Sequence, residues 1–363
     1  MYTILVTGSA GFIGANLMLR LLESPEPLKL VGLDNLNDYY DPSLKEARLR
    51  QIEDAVIPVL TRNLNAIDYR FVRGDLTNAA LLDRLFAEHR FDTVVNLAAQ
   101  VGVRYSLENP HAYVDSNVTG FLNVLEACRK YEVKHLVFAS SSSVYGINAK
   151  VPYAETDRTD QPVSPYAATK KCDELLAHVY SQTYGLPVTG LRFFTVYGPW
   201  GRPDMAPMLF AKAICAGEPI NVFNNGDMLR DFTYVDDVVE GIIRVINRHP
   251  RLDDRHSRLD RESQCPDRES YAIYNIGGSN PVKLTEFIAA LEAALGRKAV
   301  QRFLPMQPGD VPVTYADTSA LERDFGFTPR TPLQEGLRKF AEWYKNYYVI
   351  PGLTGNLKNL MNN

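Results

Sequence analysis

The fold is decided by Thr3-Ile4-Leu5-Val6-Thr7-Gly8-Ser9-Ala10-Gly11-Phe12-Ile13-Gly14, near the start of this 363-residue chain. A short β-rich run leads directly into a glycine loop with the spacing G-x-x-G-x-x-G, and a helical pattern follows over residues 15–22. Glycines allow a tight turn and close approach of the backbone to a phosphate, and the helix N-terminus holds a pyrophosphate. The stretch therefore predicts the first strand, loop and helix of a dinucleotide-binding fold.

An acidic residue ends the next predicted strand. Lys29-Leu30-Val31-Gly32-Leu33 is followed by Asp34, 20 residues beyond Gly14, where dinucleotide folds carry the acid that binds the adenosine ribose hydroxyls. Asn35 and Leu36 come next, with no adjacent arginine to hold a 2′-phosphate, so NAD is favoured over NADP. Residues 37–66 form a polar, partly helical insertion that is longer than a simple connection, and we expect a surface subdomain to which the sequence assigns no chemistry.

Strands and helices then alternate along the chain. Strands are predicted over 69–75, 93–99 and 133–139, and helices over 79–89 and near 117–130. This alternation predicts an α/β fold of the Rossmann type, with a doubly wound parallel sheet whose ligands bind at the carboxyl ends of its strands. Polar or small residues fall at several of these ends: Asp75, placed to meet the adenine amino group, Ala98-Ala99-Gln100, the serines 140–143, and Arg192-Phe193-Phe194-Thr195.

A tyrosine and a lysine lie four residues apart in Ser164-Pro165-Tyr166-Ala167-Ala168-Thr169-Lys170. Ser164 can act as N-cap and Pro165 suits the first helical position, so both side chains rise from one face of a helix. A phenol titrates near ~10, and a neighbouring ammonium lowers that pKa. The pair predicts a general acid/base for alcohol–ketone interconversion, although this spacing also occurs on ordinary amphipathic helices. A hydroxyl of the serine run facing Tyr166 would give a carbinol its second hydrogen-bond partner.

Composition excludes several classes of protein. The net charge of −4 gives no electrostatic reason to expect nucleic acid or an anionic membrane as partner. The four cysteines are scattered, which argues against a disulfide framework and a metal site and fits a reducing compartment. We expect no signal peptide, and no apolar run approaches the roughly 20 residues of a membrane span, so we expect a cytoplasmic protein.

The predicted organisation has two parts. Residues 1–198 form the NAD-binding domain, with strands returning to it near 230–247 and 271–278. Residues 199–345 form a smaller, mostly helical lobe for the substrate, because the strict alternation fades there. Residues 250–270 are dense in charge and nearly free of large apolar side chains, so we expect a mobile surface loop.

Several motifs together resemble the extended short-chain dehydrogenase/reductases. They are the glycine loop, Asp34-Asn35-Leu36, Asn96-Leu97-Ala98-Ala99, the segment from Ser140 to Gly146, and Tyr166-x-x-x-Lys170. Arg230-Asp231-Phe232-Thr233-Tyr234-Val235-Asp236-Asp237 adds a resemblance to the nucleotide-sugar epimerase branch, and the similarity runs over roughly residues 2–345.

This resemblance implies roles for individual residues. Tyr166 would be the acid/base, Lys170 would orient it and bind the nicotinamide ribose, and Ser141 would be the family hydroxyl, with Ser143 as the second choice. The expected NAD-binding residues, besides Tyr166 and Lys170, are Gly8, Gly11, Phe12, Ile13, Gly14, Asp34, Asn35, Asp75, Leu76, Leu97, Ala98, Ala99, Gln100, Asn117 and Phe194. Members usually form homodimers through two helices per subunit, here 117–130 and 166–180.

Within the branch the chain looks like the UDP-glucuronate 4-epimerases. The similar stretches are residues 34–41, 102–110 and 194–205. The implied reaction inverts C4 of a UDP-uronic acid through a 4-keto sugar without net redox change. The expected substrate-binding residues are Arg104, Ser142, Thr195, Arg202, Phe223, Arg230 and Asp310, with Arg230 at the UDP phosphates. Gln307-Pro308 departs from the arginine that galactose epimerases carry before this Gly-Asp pair.

Arg104 and Arg202 are singled out because a 4-keto uronate readily loses its C6 carboxylate, and a guanidinium fork suits a planar carboxylate. Either arginine could instead pair with a protein carboxylate such as Glu108 or Asp204. A UDP-glucuronate decarboxylase shares nearly all this machinery and is the second candidate, and a UDP-galactose 4-epimerase is the third. A 4,6-dehydratase would need an Asp-Glu pair where Ser142 and Ser143 stand, and a catalytically inactive NAD-sensing scaffold would typically lack Tyr166 or Lys170.

Overall fold

A parallel sheet forms the centre of the molecule. The computed structural model describes residues 1–61, 67–148, 150–247, 270–307 and 311–349, and these contain a seven-stranded sheet in which every neighbouring pair is parallel. From one edge to the other its strands are β3 (Asp68–Arg73), β2 (Leu28–Asp34), β1 (Tyr2–Thr7), β4 (Thr93–Asn96), β5 (His135–Ser141), β6 (Val188–Phe193) and β11 (Tyr271–Ile276). The strand order reverses between β1 and β4, and such a reversal opens a crevice for ligands at the carboxyl ends. The predicted fold class is confirmed.

The central strands are buried on both faces. Ile4, Leu5 and Val6 in β1 are at most 2% exposed, and Val94 and Val95 in β4 are fully buried. Continuous runs of β-branched and aliphatic residues are typical of parallel strands covered by helices on both sides. The residues that follow these strands are thereby held on a rigid edge.

Helices cover the two faces of the sheet. One face carries α1 (Phe12–Leu21), α2 (Pro42–Thr61) and α9 (Val235–Asn247). The other carries α3 (Ala79–His89), α6 (Gly120–Lys130) and α7 (Pro165–Tyr184). Two short helices, α4 (Tyr105–Glu108) and α5 (Pro110–Tyr113), lead through a π-helical turn, Val114–Thr119, into α6. The layers are those of a doubly wound fold.

Two expectations about these elements are wrong. The strand expected over 230–247 is limited to β9 (Leu229–Arg230) and β10 (Phe232–Tyr234), and helix α9 takes the rest, because its apolar residues recur at helical spacing and are buried. The insertion after β2 is not a surface subdomain. It contains the crossover helix α2, which buries Leu44, Leu49 and Ile52 in the core.

The remaining elements form the smaller lobe. Its helices are α8 (Ala206–Ala216), α10 (Leu284–Leu295), α11 (Ser319–Phe325) and α12 (Leu333–Tyr344). Short strand pairs brace it: β10 with β7 (Thr195–Tyr197), β8 (Pro219–Val222) with β13 (Val300–Phe303), and β9 with β12 (Val282–Lys283). The charged loop predicted over 250–270, apart from Ser270, and Asp310 lie outside the described residues. None of the helices in the described ranges has the length and apolar character needed to cross a membrane.

Candidate active site

A cavity of about 530 Å³ opens at the carboxyl ends of the sheet strands, between the sheet and the smaller lobe. This volume lies within the range of ordinary small-molecule sites. Among the described residues, its lining includes every predicted catalytic, cofactor-binding and substrate-binding residue except Asn117. The structure therefore brings together side chains that are spread over more than two hundred positions of the sequence.

The glycine loop can pack closely against the end of β4 only because it lacks side chains. Gly8 has φ +67°, and a Cβ there would lie 2.7 Å from the backbone nitrogen of Ala98, at the end of β4. Gly11 precedes α1 as its N-cap residue and offers no side chain to the first N–H groups. Those groups and the open backbone fit a pyrophosphate.

Two carboxylates line the adenosine side of the cavity. Asp34 accepts hydrogen bonds from the backbone nitrogens of Ala10, at 3.1 Å, and Leu36, at 2.9 Å, which fix it beside the glycine loop. Asn35 donates its amide to Asp75 at 2.7 Å. Burial raises the pKa of Asp75, but the hydrogen bonds from Asn35 and Thr77 outweigh it and keep that pKa below its ordinary value. The donor and acceptor set fits the ribose and adenine of a dinucleotide.

Helix α7 presents Tyr166 and Lys170 to the cavity. Its first turn is fixed by the Ser164 hydroxyl, which accepts a hydrogen bond from the nitrogen of Ala167 at 3.1 Å. The ammonium of Lys170 is 3% exposed and donates to the carbonyl of Ala139, at 3.0 Å, and to Asp173, at 3.1 Å. The lysine is thus held at the end of β5, where the serine run begins.

Asp173 on this helix and Asn117 beside it have structural roles that the sequence did not reveal. Burial raises the pKa of the Asp173 carboxyl to about 6, against the opposing effect of Lys170. Asn117, predicted to bind the cofactor, does not line the cavity. Its side-chain oxygen accepts a hydrogen bond from the backbone nitrogen of Gln100 at 2.7 Å. Its side-chain nitrogen donates to the carbonyl of Gln100 and to the Thr169 hydroxyl, both at 3.0 Å. It ties the end of β4 to α7.

The serine run divides between the cavity and the core. Ser141 accepts a hydrogen bond from the nitrogen of Ser143 at 3.1 Å, and both line the cavity. Ser140 also borders it, but its hydroxyl donates to Glu174 at 2.6 Å. Glu174 in turn holds Arg192 in a bidentate pair, at 2.8 and 2.9 Å, with both side chains buried. The run is anchored by this pair at one end.

Arg202 forms a half-buried ion pair at the wall of the cavity. Its Nε and one terminal nitrogen donate to the two oxygens of Asp204, at 3.0 and 2.6 Å, as the alternative interpretation of the sequence allowed. The hydroxyl of Tyr39 donates to the same carboxylate at 3.1 Å. Burial disfavours the charge of Arg202, yet Asp204 raises its pKa above the ordinary value. Tyr39 belongs to the insertion for which no chemical role was predicted.

Arg104 and Arg230 lie toward the smaller lobe. The guanidinium of Arg104 stacks over the ring of Phe223, 5.1 Å from its centroid. Arg230 donates to the carbonyls of Leu229, at 3.0 Å, and Pro312, at 3.1 Å. All three predicted residues line the cavity, and the structure places Arg104 on the lobe's aromatic ring.

Sequence reasoning missed two basic residues on α2. Arg48 is 1% exposed and donates to the carbonyl of Ala10 in the glycine loop, at 3.0 Å, and to that of Trp200, at 2.7 Å. Lys45 lines the cavity and donates to the side chain of Asn37 at 2.7 Å. The available signal was the helical spacing of Lys45 and Arg48 among the apolar residues of α2, which places both on its buried side.

Comparison with known proteins agrees with this geometry. The model of the NAD dependent epimerase/dehydratase family matches residues 4–277. The chain belongs to this family. Its predicted membership, its α/β fold and its NAD-dependent enzyme chemistry are confirmed.

Individual relatives are similar over nearly the whole chain. Protein CapI of Staphylococcus aureus is 48% identical and the alignment covers 95% of this chain and 99% of that protein. UDP-glucuronate 4-epimerase 3 of Arabidopsis thaliana is 45% identical, over 96% of this chain and 77% of the relative. A crystal structure of UDP-glucuronic acid 4-epimerase from Bacillus cereus, in complex with UDP-glucuronic acid and NAD, has a TM-score of 0.81 and 32% identity, over 95% of this chain and 100% of that chain.

Proposed function

We propose that the protein inverts C4 of UDP-glucuronate to give UDP-galacturonate, through a transient 4-keto sugar. The observation that carries the proposal is a guanidinium, Arg202, in the wall of the cavity that also holds Tyr166. Asp204 engages only one side of this guanidinium, and the donors that remain suit a second carboxylate, which a neutral sugar would not supply. The relatives from Arabidopsis thaliana and Bacillus cereus, both 4-epimerases of this uronic acid, support it.

NAD fits the residues present. The narrow turn at Gly8, the uncapped start of α1 and the carboxylates Asp34 and Asp75 form a cradle for a dinucleotide. When bound, NAD would accept a hydride from C4 of the sugar and return it. The chain itself has to position the sugar and move one proton.

Tyr166 is the residue we assign to that proton. Its phenolic oxygen takes the proton of the C4 hydroxyl and returns it after the sugar has turned over in the cavity. Lys170, fixed by Ala139 and Asp173, has one remaining N–H for the phenol or for the nicotinamide ribose. We assign the second hydrogen bond to Ser141, because its oxygen already accepts from Ser143 and its proton is left to donate to the C4 oxygen.

The two ends of the substrate are assigned to different side chains. Arg230 and Arg104, with Phe223 beneath the latter, lie toward the lobe and suit the diphosphate and the uridine. Arg202, Ser142 and Thr195 line the same cavity, with Arg202 close enough to Tyr166 to interact with it electrostatically, and we assign them to the C6 carboxylate. This division assigns the sugar carboxylate to Arg202 and moves Arg104 to the nucleotide.

The test is incubation of the purified protein with UDP-glucuronate and no added cofactor, followed by separation of the products. We expect UDP-galacturonate without carbon dioxide, because the reaction is redox-neutral and NAD regenerated in the site stays bound. UDP-pentose with carbon dioxide would refute the epimerase. No conversion, even after NAD is added, would refute the uronate substrate, and UDP-glucose would be tested next.

A UDP-glucuronate decarboxylase is the second candidate, because it would use the same cavity, with Tyr166, Lys170 and Ser141 in the same roles. Its reaction differs in that the 4-keto sugar loses its carboxylate. The similarity to named 4-epimerases over 95% or more of the chain ranks this candidate second. The product analysis above separates the two.

We also propose a homodimer in the cytoplasm. Helices α6 and α7 expose apolar side chains that a second copy would cover, among them Leu122, Leu175 and Val179. Leu175→Asp is expected to yield monomers in sedimentation velocity, whereas Leu209→Asp, on an equally exposed residue of α8, is the control. A monomeric wild-type protein would contradict the proposal. The free thiols of Cys128, Cys172 and Cys215 suit a reducing compartment.

A further inference from the structure

Three side chains from distant parts of the chain form what we call the carboxylate clamp: Tyr39, Asp204 and Arg202. Asp204 receives two hydrogen bonds from the guanidinium and one from the Tyr39 hydroxyl. Both members of the ion pair are partly exposed, with side-chain exposures of 20% for Arg202 and 30% for Asp204. Charge-assisted pairs of this bidentate kind fix the plane of the guanidinium.

The guanidinium has donors left over. Arginine carries five N–H groups, and Asp204 engages one on Nε and one on a terminal nitrogen. In the described part of the chain the other terminal nitrogen makes no hydrogen bond to protein. A planar guanidinium can hold one carboxylate on its side and a second on its end. Asp204 therefore occupies only the side of the Arg202 guanidinium, and the end remains available for a second carboxylate.

Tyr39 holds Asp204 through the oxygen that also accepts from the terminal nitrogen of Arg202. Its ring packs on Tyr105, with centroids 5.1 Å apart, and on Tyr40, at 6.1 Å. A Cβ on residue 102 would clash with this hydroxyl, so Tyr39 can take this position only because residue 102 is glycine. The aromatic packing leaves the hydroxyl little choice of position, and it points at Asp204.

The geometry points to a positioning role: we propose that Asp204, fixed by Tyr39, anchors one edge of Arg202 so that the other edge holds the C6 carboxylate of the sugar. This inference rests on the proposed function. Asp204 does not touch the reacting atoms. It acts through Arg202 and determines whether the oxidised substrate keeps its carboxylate.

The chemical consequence concerns the bond between C5 and C6. In the 4-keto uronate this bond can break, with its electron pair moving into the C4 carbonyl to form an enolate while carbon dioxide leaves and C5 takes a proton. The loss requires that the bond align with the carbonyl π system. When Arg202 fixes the position of the carboxylate, the bond between C5 and C6 is kept out of that alignment. A guanidinium that is free to rotate loses this control.

The experiment compares the products of wild-type protein, Asp204→Asn, Tyr39→Phe and Asp160→Asn with UDP-glucuronate as the substrate. Arg158 and Asp160 form an exposed pair with the same i, i+2 spacing, so Asp160→Asn is a matched control away from the cavity. We expect the ratio of UDP-pentose to UDP-galacturonate to rise about tenfold in Asp204→Asn, which corresponds to about 1.4 kcal/mol. A smaller rise is expected in Tyr39→Phe, and none in Asp160→Asn.

The outcomes separate the clamp from the proposed function. An unchanged product ratio in both clamp variants, with any loss confined to turnover, would overturn the clamp and leave the epimerase in place. A wild-type protein that makes no UDP-galacturonate would overturn both. Tyr39→Phe keeps the ring packing and the ion pair, so it remains informative if Asp204→Asn does not fold, and bound NAD in each purified variant reports on folding.

Discussion

Replacing Glu174 by glutamine should destabilise the protein without touching the cavity wall. The carboxylate of Glu174 is buried between α7 and β6 and accepts two hydrogen bonds from Arg192, one from Ser140 and one from Lys171. Burial raises its pKa, but Arg192 outweighs that effect and holds the pKa below its ordinary value. Glu174→Gln preserves the shape and leaves Arg192 charged and buried.

The expected magnitude follows from the loss of that single charge. Breaking a buried ion pair by removing one partner costs about 3–5 kcal/mol, mainly because the remaining charge is left without compensation. With an unfolding entropy of roughly 2.1 cal/mol/K per residue over a chain of this length, that loss lowers Tm by about 4–7 °C. Since the Ser140 hydroxyl loses its charged acceptor, turnover should also fall.

Differential scanning calorimetry of the variant and of Lys171→Met measures the effect. Lys171 meets the same carboxylate at 3.2 Å but is a quarter exposed, so its removal should cost no more than about 1 kcal/mol. The double variant Glu174→Leu/Arg192→Met should recover most of the loss, because an apolar pair of similar volume can replace a buried ion pair. Equal Tm values for Glu174→Gln and Lys171→Met would refute the reasoning.

Three further perturbations test other parts of the site. Tyr166→Phe should lower kcat by roughly 10²–10⁴ while NAD stays bound, as read from the cofactor released on denaturation; an active variant would exclude Tyr166 as the acid/base. Gly8→Ala should lose bound NAD, because its Cβ would lie 2.7 Å from Ala98 N, whereas Gly185→Ala, with a similar φ of +65° and open space around it, should keep it. Burial raises the pKa of Asp173 to about 6, above its unfolded value of roughly 3.9, so the folded state binds this proton more tightly and loses stability as pH rises between those values. Asp173→Asn should therefore reduce the pH dependence of the free energy of unfolding, measured in urea, by up to about 1.4 kcal/mol per pH unit. An unchanged pH dependence would contradict the raised pKa of Asp173.

The parts of the site that the sequence predicted are those that depend on local spacing. The glycine loop, Asp34 after its strand and Tyr166 four residues before Lys170 each carry their meaning within one element and its connection. The parallel sheet follows from the alternation of elements. These short-range patterns predict the site correctly because the residues that carry them all lie at the rigid carboxyl edge of the sheet.

The parts that the sequence did not predict depend on contacts between distant segments. Tyr39 reaches Asp204, which lies 165 positions away, and no local pattern links the two residues. The choice between strand and helix near 235–247 needed the full period of buried residues in α9, not its β-branched composition alone. For Asn117, the resemblance to the family did not distinguish a residue that lines the cavity from one that supports the backbone of Gln100 beside it.

Arg48 has a consequence for recombination between relatives. Its guanidinium joins the glycine loop, through Ala10, to the turn at Trp200 that precedes Arg202. The part of the chain that we assign to the dinucleotide and the part that we assign to the sugar therefore share one cation, which comes from α2. A chimera that takes its smaller lobe from one relative and its α2 from another would lose this brace. The helix after β2 should therefore be exchanged together with the lobe.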